Sequence, residues 1–335
     1  MKLLLTGAGG FVGHHLLQHI LANTDWGVVA TDSFRHQGKT DRITEVLDGH
    51  PDWQERVEVI THDLTVPFSA QTVSRIGNVD YLVAMASESH VDRSIADPVP
   101  FVRNNTDLML STLELAREIR PRVVLHVSTD EIYGPVRPGE PPHPEWDPIL
   151  PSNPYSASKA AQEALATAWW RSYGVPVVIT NMTNVFGERQ GGEKYIPILI
   201  RKILRGETVQ IHGTPDEIGS RNYMHARNAA DAWLFLLQKT SPALFPFSPR
   251  PDRYNITGPE TVNNLALALE IAQVTGRPLK YELTGFDVKN RPGHDPHYGL
   301  DMGKLDALGW KPPVEFHESL ERTVRWTLDH PGWLS

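Results

Sequence analysis

The segment Gly7-Ala-Gly-Gly10-Phe-Val-Gly13 constrains the fold of this chain more than any other feature. It follows an apolar run, Lys2–Thr6, and opens a stretch, Phe11–Leu21, in which Leu16/Ile20 and Leu17/Leu21 repeat at helical spacing. Glycines at 7, 10 and 13 let the backbone turn tightly, approach a pyrophosphate and pack helix on strand. The helix N-terminus, with Phe11 and Val12 in its first turn, then offers unpaired N–H groups and a positive dipole end to phosphates. Asp32 lies 19 residues after Gly13, at the end of the next apolar run. A carboxylate there accepts ribose hydroxyls and repels a 2′-phosphate, so the pattern favours NAD over NADP. Arg35 is close enough to meet a 2′-phosphate and works against that preference. A glycine-rich surface turn with a capping Asp is the competing reading.

Further short runs rich in Val, Ile and Leu follow at Val28–Thr31, Val57–Thr61, Tyr81–Ala86, Val123–Ser128 and Val175–Thr180. Helix candidates lie between them at Asp107–Arg120 and Tyr155–Tyr173. Continuous apolar strands alternating with helices predict an α/β fold: a Rossmann-type, doubly wound parallel sheet covered on both faces. After Asn181 the rhythm breaks. Helix candidates Ile196–Arg205 and Leu265–Thr275 stand among Pro- and Gly-rich connections, which predicts a smaller mixed α/β region. The expected division is a cofactor domain over 1–181, with 222–257 returning to it, and a substrate region over 182–221 and 258–335. Asp41–Glu55 and Pro135–Pro154 read as surface loops near the site.

The 32 basic and 40 acidic residues give a net charge of −8, which argues against nucleic acid as a partner. There are no cysteines, so disulfides, thiolate nucleophiles and Cys-ligated metals are excluded. No apolar run reaches the ~18 residues that span a bilayer, and Met1–Gly13 does not read as a signal peptide. The expectation is a cytoplasmic protein with no membrane partner. Among 15 histidines, His14-His15 and His294-x-x-His297 stand out, but no carboxylate set accompanies them. They read as core or surface residues, and no metal is expected.

Tyr155-Ser-Ala-Ser-Lys159 opens a helix candidate with Tyr and Lys on one face. An ammonium beside a phenol favours phenolate, so Tyr155 can serve as a base towards a hydroxyl. The segment Ser128-Thr129-Asp130-Glu131 closes a strand, where hydroxyls and carboxylates face the crevice at the carboxyl edge of the sheet. Taken alone, Asp130 and Glu131 could equally cap a turn.

Together these motifs resemble the extended short-chain dehydrogenase/reductase family, and within it the dTDP-glucose 4,6-dehydratase group. The stretches that carry the resemblance are Ala86-Ser-Glu-Ser-His90-Val-Asp-Arg93-Ser-Ile95, His126-Val-Ser-Thr-Asp-Glu-Ile-Tyr-Gly134, Asn153-Pro-Tyr-Ser-Ala-Ser-Lys-Ala-Ala161 and Arg291-Pro-Gly-His-Asp295. Leu308-Gly-Trp-Lys-Pro312 through Trp333 matches as well, so the resemblance spans nearly the whole chain.

The resemblance implies a redox-neutral dehydration of a nucleotide-diphosphate sugar with NAD. Tyr155, aided by Lys159, takes the C4 hydroxyl proton and Thr129 hydrogen-bonds the C4 oxygen. Glu131 takes the C5 proton and Asp130 protonates the departing C6 hydroxyl. Two carboxylates with opposite roles need environments that separate their pKa values, so Asp130 is expected in a dry setting or beside another carboxylate. The resemblance also sets Asp63, Leu64, Ala84, Ala86 and Ser128 against the cofactor. It sets Ser89, His90, Asn184, Glu193, Lys194, Arg221, Asn255, Arg291 and His294 against the substrate, with Arg221 and Arg291 on the diphosphate. It further implies a homodimer through the helices at Asp107–Arg120 and Tyr155–Tyr173, the second bearing Trp169-Trp170.

Departures from the group's pattern fall outside the chemistry. Ser33-Phe-Arg-His-Gln-Gly-Lys39, in the region that helps hold the adenosine, leaves the cofactor choice open, and Asn184-Val-Phe-Gly187 and Arg221-Asn-Tyr-Met-His225 leave the nucleobase and sugar open. A sugar-nucleotide epimerase, a decarboxylase or a 5,6-dehydratase on the same scaffold stays possible. Epimerases lack the Asp-Glu pair, while Asp130 alone speaks against a decarboxylase. A non-catalytic NAD-binding regulator would not need Thr129, Tyr155 and Lys159.

Overall fold

A computed structural model describes residues 1–137, 139–285 and 297–334. Thirteen strands are described: β1 (Lys2–Thr6), β2 (Gly27–Asp32), β3 (Val57–Thr61), β4 (Tyr81–Ala84), β5 (Val123–Thr129), β6 (Val177–Met182), β7 (Val185–Phe186), β8 (Val209–His212), β9 (Ser220–Arg221), β10 (Met224–His225), β11 (Asp252–Ile256), β12 (Val262–Asn263) and β13 (Tyr281–Thr284). Seven of them form one sheet in the order β11-β6-β5-β4-β1-β2-β3, with every neighbouring pair parallel. Chain order turns back beside β1, which opens a crevice at the carboxyl edge between β1 and β4.

The helices are α1 (Phe11–Asn23), α2 (Thr40–Leu47), α3 (Pro51–Arg56), α4 (Ala70–Ile76), α5 (Val91–Ala96), α6 (Pro98–Ile119), α7 (Pro154–Tyr173), α8 (Tyr195–Arg205), α9 (Ala226–Lys239), α10 (Asn264–Thr275), α11 (Gly303–Ala307) and α12 (Phe316–Asp329). Successive residues of the central strands point to opposite faces, so each strand feeds two cores. Leu3, Leu5, Val83 and Leu125 pack with α1 and α9, whereas Leu4, Leu82, Val124 and Ile179 pack with α6 and α7. Each such fully buried aliphatic side chain contributes about 2 kcal/mol. The runs read as continuous apolar segments because both faces are covered.

A third core, with Phe186, Leu199, Ile203, Leu267, Ile271, Leu320 and Val324, joins α8, α10 and α12. The stretch 222–257 supplies α9, which packs on α1, and β11, which pairs with β6.

Two local expectations are corrected. Asp41–Glu55 is not a loop but carries α2 and α3. Ile43 and Val46, with Leu47 beside them, form an apolar stripe that docks on the first core, and Pro51 starts the second helix. The helix expected from Asp107 begins nine residues earlier, at Pro98, because Phe101 and Asn105 are already buried. Of the expected Pro135–Pro154 loop, Pro154 starts α7, and the described residues of 135–153 contain no helix or strand. No described helix is long and apolar enough to cross a membrane.

Candidate active site

The glycine turn has the geometry that a close dinucleotide contact demands. Gly7 sits at φ +73°, and a Cβ on Gly13 would lie 2.0 Å from the Gly7 carbonyl oxygen. Only hydrogen fits there, so the N-terminus of α1 lies directly against the end of β1. Phe11 and Val12 lie in the first turn of α1, and Asp32 closes β2. Its Oδ2 accepts from the Gly9 N–H at 3.0 Å and its Oδ1 from the Phe34 N–H at 2.9 Å. Burial pushes the Asp32 carboxyl up, and these two N–H donors oppose the shift.

These residues border a cleft of about 840 Å³ that runs along the carboxyl edge of the sheet. Gly7, Gly10, Phe11, Val12, Gly13, Asp32, Asp63, Leu64, Ala86, Ser128, Tyr155 and Lys159 all line it, as do Thr129, Asp130 and Glu131. So do Ser89, His90, Asn184, Glu193, Lys194 and Arg221. Residues spread over more than 210 positions of sequence therefore face one cavity.

Two expected members do not. Ala84 belongs to the core on the α6/α7 side of the sheet, because the alternation of β4 turns it away from the cleft. Asn255 is fully buried within β11, and its amide donates to the carbonyls of His143 and Asp301 at 2.9 and 3.0 Å. It ties the Pro135–Pro154 loop and the 297–302 segment to the sheet edge. Arg291 and His294 lie outside the described residues.

At the end of β5 the chain enters a short 3₁₀ turn, Asp130–Ile132. This turn aims consecutive side chains into the cleft. Thr129 Oγ1 donates to Asp130 Oδ1 at 3.1 Å, while Asp130 Oδ2 is buried and has no hydrogen-bond partner. Burial, and then the charge of Glu131, push the Asp130 carboxyl up to about 7. A carboxyl in this state holds a proton near neutral pH and has one oxygen free for an incoming group. Asn153 Nδ2 approaches Glu131 Oε2 at 3.4 Å. The same Asn153 caps α7 by accepting from the Ser156 N–H, so the cap of the Tyr-bearing helix also touches the carboxylate turn.

Tyr155 lies in the first turn of α7. Its N–H donates to Ser94 Oγ at 3.1 Å, Phe101 packs edge-on against its ring, and its phenol is hydrogen-bonded with Thr129. Burial acts against the expected effect of Lys159 on Tyr155. Burial, and then the Glu131 charge, raise the Tyr155 phenol well above its usual range. Burial also lowers the Lys159 ammonium to about 7. Lys159 Nζ donates to the Val127 carbonyl at 2.7 Å and to Gln162 Oε1 at 2.6 Å, so its proton donors are directed at the scaffold.

The cleft also contains a residue with no signal in the motifs. Arg42, on α2, is 1% exposed. Its guanidinium donates to the carbonyls of Gly9 at 3.1 Å, Gln37 at 2.6 Å and Arg189 at 3.0 Å. It thereby fastens the glycine turn, the segment after Asp32 and the loop after β7 to one another. The Ile43–Val46–Leu47 spacing signals the helix, but nothing in the sequence marks Arg42 itself. Tyr195, to which no motif points, also lines the cleft, as does Tyr223 of the Arg221–His225 stretch.

His14 and His15 are buried core residues. His15 Nε2 lies 3.0 Å from the Glu188 carbonyl, and the Glu188 carboxylate lies 3.1 Å from His225 Nε2 and 3.1 Å from Arg322 Nε. Among the described residues there is no group of three or more His, Cys, Asp or Glu side chains that could hold a metal ion.

Comparison with known proteins agrees with this geometry. The chain is 34% identical to a dTDP-glucose 4,6-dehydratase of Haemophilus influenzae, covering 98% of both chains. It is 32% identical to dTDP-glucose 4,6-dehydratase 1 of Escherichia coli K12, covering 100% of this chain and 94% of that protein. Its fold superposes on a dTDP-glucose 4,6-dehydratase of Streptomyces venezuelae solved with NAD bound, with TM-score 0.85, 31% identity and 99% and 98% coverage. With residues 3–256 matching the family as a whole, the chain belongs to the NAD dependent epimerase/dehydratase family.

Proposed function

We propose that this protein is an NAD-dependent nucleotide-sugar 4,6-dehydratase, acting on NDP-glucose with dTDP-glucose as the first candidate. The observation that carries the reading is the Asp130–Glu131 pair, set directly after Thr129 in the cleft that Tyr155 and Lys159 line. Full-length relatives with that activity support it. The glycine turn, closed to any side chain, together with Asp32 fits a dinucleotide.

When bound, NAD⁺ supplies a hydride acceptor for the sugar C4 and later a hydride donor for C6. The chain's own residues handle the protons. Tyr155 receives the C4 hydroxyl proton as phenolate, a state that the positive charge of bound NAD⁺ would favour against the burial, and Thr129 holds the C4 oxygen. The resulting ketone acidifies the C5 hydrogen, and Glu131 takes that proton. Asp130, protonated near neutral pH, delivers a proton to the C6 hydroxyl, which leaves as water. As C6 takes the hydride, Glu131 returns a proton to C5, and the proton taken from the C4 hydroxyl is restored to Asp130 through solvent, so one water is lost in total and the cofactor ends as it began. Arg221 is suited to the substrate diphosphate.

The cofactor half is assigned to 1–181 with 222–257, and the substrate half to the remainder. A cytoplasmic homodimer through α6 and α7 completes the reading, and light scattering on the purified protein tests its mass. The decisive experiment incubates the protein with dTDP-, UDP- and GDP-linked glucose and N-acetylglucosamine. It follows alkali-induced 4-keto absorbance and loss of one water by mass spectrometry. The expected result is a 6-deoxy-4-keto product with no net consumption of NAD⁺. A C4 epimer of unchanged mass overturns the reading.

A further inference from the structure

The segment after Asp32 departs from the dehydratase pattern, and its Arg35 has a specific partner. Arg35 Nη1 lies 2.7 Å from Asp63 Oδ2, and Nη2 donates to Asp63 Oδ1 at 2.8 Å. Both ends of the guanidinium fork are thus engaged by one carboxylate. That carboxylate is itself fixed, because Asp63 Oδ1 also accepts from the Thr65 N–H at 3.0 Å and the Thr65 hydroxyl at 2.7 Å. The segment bearing Arg35 is anchored on both sides. Phe34 N–H donates to Asp32, Lys39 N–H donates to the Gly9 carbonyl at 2.9 Å, and Arg42 holds the Gln37 carbonyl. Asp32, Arg35 and Asp63 all line the same end of the cleft.

An arginine placed shortly after the acidic residue of the second strand is the side chain that reads a 2′-phosphate in NADP-binding proteins. Here the residue type is present, but its donors are directed to Asp63. We propose that the Arg35–Asp63 pair sets the cofactor preference of this chain: Asp63 holds back a guanidinium that would otherwise accept a 2′-phosphate. The proposal rests on the NAD reading above and goes beyond it. A 2′-phosphate entering this end must compete with Asp63 for both Arg35 donors. The pair is half exposed, 46% for Arg35 and 32% for Asp63, so solvent screens it and the restraint is modest rather than absolute. Releasing Arg35 is therefore expected to shift selectivity by about fivefold, not by orders of magnitude.

The test is a competition that does not depend on turnover. Purified full-length protein is equilibrated with equal concentrations of NAD⁺ and NADP⁺ and rapidly desalted, and the bound dinucleotides are quantified by mass spectrometry. Asp63→Asn keeps the shape of the side chain and removes its charge. The expected result is a rise of about fivefold in the bound NADP⁺:NAD⁺ ratio. In Asp63→Asn/Arg35→Leu the ratio falls back to the wild-type value. Any contact of residue 63 with the adenine affects both dinucleotides alike and cancels in the ratio. A ratio unchanged in Asp63→Asn overturns the proposal. A rise that persists without Arg35 also overturns it, since Asp63 would then act by charge alone. Wild-type protein that retains neither dinucleotide removes the NAD reading itself, and this proposal with it.

Discussion

The guanidinium of Arg42 donates to the carbonyl of Gly9 at 3.1 Å, 33 residues earlier in the chain, and in doing so braces the turn that would receive a pyrophosphate. Buried at 1% exposure, it reaches three carbonyls from three segments. Removing it takes this donor from all three carbonyls; the Gly9 carbonyl keeps the Lys39 N–H and Gln37 is an exposed residue, so the loss is about 1–3 kcal/mol in total before relaxation. Arg42→Met is expected to lower dinucleotide affinity at least about tenfold, with a smaller loss in Arg42→Lys. Equilibrium binding measured by fluorescence checks this, and unchanged affinity in Arg42→Met would remove Arg42 from the cofactor site.

Tyr155→Phe deletes the phenol and leaves the ring that packs against Phe101. Turnover is expected to drop by about 10²–10⁴ while the melting transition stays put. Near-wild-type turnover would show that the C4 proton leaves by another route.

The two carboxylates separate by proton exchange. Glu131→Gln is expected to retain C4 oxidation and to suppress exchange of the C5 proton with deuterated water. Asp130→Asn is expected to exchange C5 faster than Glu131→Gln while still failing to release water. Single-turnover mass spectrometry of the sugar distinguishes them. Wild-type product formation by both variants would make these residues pocket walls.

The pH dependence of elimination follows from Asp130. Its carboxyl stands at about 7 in the folded protein against an ordinary 3.8, raised by burial first and by Glu131 second. The protonated form predominates below about 7, so elimination is expected to be level there and to fall by about tenfold per pH unit well above it. Asp130→Asn is expected to show a lower rate without that alkaline fall. For stability the sign is the same: the contribution is fully present below 3.8 and is lost as pH rises through about 7. An alkaline fall unchanged in Asp130→Asn would assign it to another group.

Glu163 and Arg253 form a buried ion pair at 1–2% exposure, and Asn181 Nδ2 also donates to Glu163 at 2.7 Å. Arg253→Met strands the carboxylate beneath the catalytic strand. It is expected to cost about 3–5 kcal/mol in urea unfolding, far more than loss of a surface pair. A cost under about 1 kcal/mol would mean that Glu163 is neutral in the folded protein.

Local sequence determines what depends on local rules. The glycine turn, the Asp at the end of β2 and the apolar runs each carry their own chemistry or period, so the parallel sheet and the cofactor end are legible in the residues alone. Thr129, Asp130, Glu131, Tyr155 and Lys159 are legible because short motifs hold them. Tertiary structure decides everything that depends on what lies across the fold. Arg42 joins the site only because α2 docks on the core and carries its side chain back to Gly9. Asn255 leaves the site because β11 buries it against two carbonyls. Asp130 gains a proton near neutral pH because the folded cleft excludes water around it, and the same exclusion raises Tyr155 and lowers Lys159. Spacing along a chain records which groups can meet, whereas desolvation and partner choice, which fix their charge, arise only when distant segments close over them.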